Sequence, residues 1–113
     1  MAVNNLTQRS GRFLGWTFTE ELAAGATGNP VVIPPLLAGQ RISVRTIGGT
    51  QDAKIQSTIS SDAKVAAGTA VWEDWPAGIQ IGTVSATLDA PVTAIRCTVG
   101  TATSGAVNWE VLI

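Results

Sequence analysis

Residues 91–113, PVTAIRCTVGTATSGAVNWEVLI, leave this chain few choices of fold. Ile95, Cys97 and Val99 share one parity, and Ala94, Arg96 and Thr98 share the other. After a run of Gly, Thr and Ser the rhythm resumes in Val107, Trp109, Val111 and Ile113, with Asn108 and Glu110 between them. Side chains along a β-strand alternate between its faces, so the pattern predicts two strands, each with an apolar and a wetter face. The linking GTATSG is rich in turn residues and too long for a two-residue turn, which predicts a hairpin with an open loop. The phase of Ile113 places the last residues in the sheet.

The preceding chain repeats this theme. In residues 12–19, Leu14, Trp16 and Phe18 form an apolar row; Gly25, Gly28 and Pro30 then cut short any helical turn after Glu20, leaving a strand end and loop. Val31, Val32 and Ile33 meet Pro34 and Pro35, which confines them to a short edge piece. In residues 40–47, Ile42, Val44 and Thr46 oppose Arg41, Ser43 and Arg45. Gly48 and Gly49 turn the chain into residues 53–60, where Ile55, Ser57 and Ile59 oppose Lys54, Gln56 and Thr58. The reading is a second hairpin with a basic outer face. Residues 60–78 are the least regular stretch, with a strand expected within 70–75; a loop of this length is often functional. The apolar parity shifts from Ile79, Ile81 and Thr83 to Val84, Ala86 and Leu88, implying a bulge or bend near Gly82, and Asp89 to Pro91 make the turn into the final pair. The expected fold is all-β, a single-domain antiparallel β-sandwich or jelly roll of about seven to eight short strands over residues 12–113, with no convincing helix. Residues 1–11 are polar and read as a flexible N-terminal arm.

A chain of 113 residues fits one domain with its own core. Only 13% of residues are charged, about half the usual share, which suggests that copies of the chain or a larger assembly cover part of the surface. Self-association into a homo-oligomer is the matching expectation. A net charge of −1 provides no field to hold nucleic acid or an acidic membrane, so neither is an expected partner. No apolar run suits a membrane helix or a signal peptide, and the chain is expected to be made in a cytoplasm.

The chain has no histidine, and its single cysteine, Cys97, falls at an inward strand position where it acts as a small hydrophobe. That excludes a Ser-His-Asp or Cys-His arrangement within one chain and makes zinc a poor fit. Calcium held by Asp52, Asp62 or Asp74 lacks a ligand loop of regular spacing. No cofactor, metal or catalytic residue is expected. Glu73 and Asp74 lie between Trp72 and Trp75, an acid-and-indole pairing reminiscent of sugar-cleaving sites, but neighbouring strand residues point to opposite faces and would not converge on one bond. Trp16 and Trp109 lie in phase with apolar rows and belong to the core. Trp72 and Trp75 are read as core or subunit contacts in preference to a platform for carbohydrate. Arg41, Arg45, Lys54 and Arg96 could form a basic strip on one sheet face. The candidate partner contacts are therefore Arg9, Arg12, Arg41, Arg45, Lys54, Trp72, Glu73, Asp74 and Trp75.

ISVRT, AKIQSTISSD, an irregular loop ending in a Trp-containing piece and the closing PVTAIRCTVGTATSGAVNWEVLI together resemble small all-β virion proteins of tailed bacteriophages. The resemblance covers residues 40–113. Ser60-Ser61-Asp62 falls where such proteins carry a Ser-x-Asp-Gly turn, with Ala63 in place of the glycine. The resemblance implies a non-enzymatic structural role as a capsid decoration or cement protein on the virion surface. Each copy would clamp neighbouring major-capsid subunits or other virion subunits. A tail, fibre or baseplate component is the first alternative reading and a carbohydrate-binding module the second.

Overall fold

The computed structural model describes residues 2–9, 15–35, 40–47, 53–80, 83–88, 91–101 and 106–113, with side chains described throughout except at 76–80. Ten strands run in chain order as β1 (Asn4–Asn5), β2 (Thr7–Gln8), β3 (Trp16–Ala23), β4 (Val31–Val32), β5 (Ile42–Ile47), β6 (Ala53–Thr58), β7 (Glu73–Gln80), β8 (Val84–Leu88), β9 (Ala94–Val99) and β10 (Ala106–Leu112), with a short helix α1 (Asp62–Ala67) between β6 and β7. They form two five-stranded sheets ordered β1-β4-β9-β6-β7 and β2-β3-β10-β5-β8. From β3 onward, every step along the chain moves to the other sheet except β6 to β7. That alternation, with β3-β10-β5-β8 facing β4-β9-β6-β7, is jelly-roll connectivity.

This corrects the two expected hairpins. β5 and β6 do not pair: β5 lies between β10 and β8, and β6 lies between β9 and β7. β9 and β10 also sit in different sheets. Alternation says that a segment is a strand with one buried face, and both a hairpin and an arch between facing sheets satisfy it. The turns themselves, at Gly48-Gly49 and 102–105, lie outside the described residues, as do Gly82, Leu14, Arg12, Asp52 and Asp89.

Most inward parities are those expected; Trp16, however, is only half-buried and outside the core cluster, and Ala94 and Thr58 are buried although their parity reads as outward. Ile42, Val44 and Thr46 of β5, Ile55 of β6, Ile95, Cys97 and Val99 of β9, and Val107, Trp109 and Val111 of β10 are all buried and, Thr46 apart, join one core cluster drawn from both sheets. β3 runs on through Ala23, where a strand end and loop were expected. The segment read as an arm also belongs to the fold: β1 pairs in parallel with β4, and β2 pairs with the start of β3. Ile59, expected inward, is 77% exposed because β6 ends at Thr58.

Helix α1 is an addition to the expected fold. Ser61 caps it, its side chain accepting from the Lys64 backbone N–H at 3.3 Å, and Gly68 closes it in the left-handed region at φ 79°. Six residues make less than two turns, so no apolar period could announce it. Its one buried side chain, Val65, lies outside the main core cluster.

The polar interior centres on Trp109, which is fully buried and stands in register with Glu20 on one side and Thr46 on the other. Its indole N–H donates to Glu20 Oε1 at 3.0 Å, and Phe18 meets its ring edge-on with centroids 5.5 Å apart. The other Glu20 oxygen accepts from the Asn4 amide at 3.4 Å, joining β3 of one sheet to β1 of the other. Gly28 lies under this carboxylate, where an added Cβ would come within 2.6 Å of Glu20 Oε1. Glu20→Ala leaves a buried indole N–H unpaired and is expected to destabilise the fold by about 1–3 kcal/mol in urea titrations, whereas Glu20→Gln, which keeps an acceptor, loses less. The Thr46 hydroxyl is buried without a hydrogen-bond partner. Thr46→Val removes that orphan and is expected to stabilise the protein by about 1 kcal/mol in the same titrations.

Candidate docking surface

The outer face of the β1-β4-β9-β6-β7 sheet carries a connected strip of side chains. It exists because Gln56 of β6 stands in register with Arg96 of β9 on one side and with Asp74 of β7 on the other. Arg96 Nε donates to Gln56 Oε1 at 2.8 Å, and Gln56 Nε2 donates to Asp74 Oδ1 at 3.3 Å. Lys54 Nζ pairs with the same carboxylate at 3.3 Å. The Arg96 guanidinium lies 4.3 Å from the ring centre of Trp72, within cation–π range. The strip therefore runs Trp72, Arg96, Gln56, Asp74, Lys54. The hydrogen bond from Gln56, then the one from Lys54, hold the Asp74 carboxyl below its ordinary range. Two exposed apolar residues, Ile59 just past β6 and Val71 just before Trp72 in the chain, lie near where β6 ends and β7 begins. They are held beside each other because Thr58 Oγ1 donates to the Val71 carbonyl at 2.7 Å while the Val71 N–H donates to Ser60 Oγ at 3.0 Å.

The expected basic strip is thus divided. Arg41 and Arg45 belong to the outer face of the other sheet, while Lys54 and Arg96 share this one. The cause is the crossing between β5 and β6, which sends two successive strands to opposite sides of the sandwich. Arg45 Nε donates to Ser85 Oγ at 3.1 Å on its own face. Arg41 is exposed just before β5, and half-buried Arg9 follows β2, its backbone N–H bonded to the Gly15 carbonyl at 2.8 Å. Arg12 lies outside the described residues.

The acid-and-indole motif is also taken apart by strand parity. Glu73 pairs with Ser57 and Asp74 with Gln56, so the two carboxylates lie on opposite faces, as alternation requires. Trp75 shares Glu73's parity but lies deeper along the strand and is only 3% exposed, within the core cluster. It is therefore withdrawn as a partner contact. With Trp75 in the core and Trp72 on the outer face, the two indoles cannot form one sugar platform.

Comparison of the chain with protein-family models, curated proteins and solved structures finds no match. Its chemistry is read from its own side chains. Among the described residues, no three His, Cys, Asp or Glu side chains gather in a way that could hold a metal ion. No described helix is long and apolar enough to cross a membrane. A shallow concavity of about 360 Å³ lies over β10, β5 and β8 and is walled by Thr17, Ser43, Arg45, Ser85, Thr87 and Glu110.

Cys97 is fully buried, and burial, followed by the nearby Glu20 charge, pushes its thiol up to about 12. A raised folded-state value means that its contribution to stability is intact below the unfolded thiol's pKa of about 8.5 and is lost as pH climbs from there toward 12. Cys97 is expected to react with Ellman's reagent at pH 8 only after denaturant is added. Rapid labelling of the native chain would contradict this burial.

Proposed function

We propose that this chain is a non-enzymatic structural protein of a tailed-phage particle, a decoration protein that docks on the head and clamps neighbouring major-capsid subunits. The observation that carries the reading is the strip from Trp72 to Lys54. Its members hold one another in place before any partner arrives, so little side-chain freedom remains to be lost on docking. Tryptophan and arginine are the residues that interfaces concentrate, and the exposed Ile59 and Val71 add apolar area at the same end of β6 and β7. The low charge of the chain and its jelly-roll connectivity, an architecture that viral capsid domains use, support the same reading by analogy.

Immunogold labelling of purified particles of the encoding phage tests this directly. Label over the head is expected; label confined to the tail would replace the reading with the tail, fibre or baseplate one, and unlabelled particles would remove the virion role. With stripped heads as the binding partner, Trp72→Ala combined with Lys54→Glu is expected to weaken co-sedimentation by about 10- to 100-fold while leaving the thermal transition nearly unchanged.

A further inference from the structure

The four sheet edges are unequally protected. β1 and β2 are two residues long, too short to template a partner strand. β7 contains Pro76, opens with Glu73 and Asp74, and breaks register against β6 between Lys54 and Gln56. β8 has none of these devices. Its sequence, VSATL, contains no charge and no proline, its pairing with β5 is regular over all five residues, and among the described residues no strand pairs with its other side.

The side chains of β8 add a second observation. On the neighbouring strand β5, the inward Ile42, Val44 and Thr46 are buried. On β8 the inward Val84, Ala86 and Leu88, although they stand in register with Thr46, Val44 and Ile42, are each only half-buried. The core is therefore open along this edge, and the open part is apolar.

We propose that β8 is a self-pairing edge: two copies of this chain join β8 to β8 in antiparallel order, about a two-fold axis through Ala86, to form one continuous ten-stranded sheet. Antiparallel pairing about that axis sets Val84 against the partner's Leu88 and Ser85 against the partner's Thr87. Apolar side chains then meet apolar ones on the inner face, and hydroxyls meet hydroxyls on the outer face. The strand's neutrality removes any like-charge penalty from this arrangement. Edge strands commonly carry charge that would repel their own copy; VSATL carries none, hence the choice of a second copy as the occupant. The inference stands apart from the proposed virion role, because it concerns the edge opposite β2 in one sheet while the docking strip lies on the other sheet.

Sedimentation equilibrium of the full chain tests the proposal. A concentration-dependent dimer is expected, with Kd on the order of 10–100 μM for so small an interface. The Ser85→Lys/Thr87→Lys variant sets lysine against lysine across the axis and is expected to dimerise at least about 100-fold more weakly with unchanged circular dichroism. The Ser85→Glu/Thr87→Glu variant should behave likewise alone. An equimolar mixture of the two should recover a heterodimer, which keeps the test valid even where the substitutions loosen the strand. A wild-type chain that stays monomeric at about 1 mM, or a dimer indifferent to all of these variants, would overturn the proposal.

Discussion

Burying an indole obliges the fold to bury a hydrogen-bond acceptor with it, and in this protein that requirement shapes much of the core. Trp109 lies at the middle of the central strand β10. Its N–H is satisfied by Glu20, a carboxylate placed at an inward position of β3. That would be a costly arrangement for an isolated charge. Here the carboxylate also receives the Asn4 amide from the opposite sheet, over the space that Gly28 leaves open. The contact from β1 and the need for a glycine at position 28 both follow from where this one carboxylate sits, and its charge adds to the burial that keeps Cys97 neutral.

Strand identity was legible because it depends on a local property. The alternations at 42–47 and 106–112 survive intact; at 94–99 Ile95, Cys97 and Val99 are buried as the periodicity marked, and Ala94, on the other parity, is buried with them. Strand partnership was not legible, since nothing in the parity of β5 and β6 distinguishes a hairpin from an arch. The error then propagated to the surface: Arg41 and Arg45 were grouped with Lys54, although the crossing places them on opposite sides. The inward Glu20 was hidden for a related reason. Its apolar row, Leu14, Trp16 and Phe18, stops short of it in the sequence, whereas β3 continues to Ala23.

The candidate site shows the same division between local and distant information. That Glu73 and Asp74 diverge is a consequence of adjacency and was foreseeable. That Trp75 enters the core while Trp72 covers Arg96 depends on where β7 docks against β6, a matter of tertiary register. The Gln56 relay between Arg96 and Asp74 had no signal at all, because its three members are brought together from three strands by pairing alone.

The alternation of strands between sheets also sets how the chain must fold. β3 finds its principal partner in β10, which joins residues 16–23 to residues 106–112. No nascent chain can make that pairing until β10 has left the ribosome. Most of the closure entropy is therefore paid before the central contacts form, a topology associated with folding in milliseconds to seconds rather than microseconds. Throughout that interval the apolar rows of β3, β5 and β9 lack their covering strands. Synthesis rate and temperature, more than final stability, should then govern how much of this protein reaches its native state.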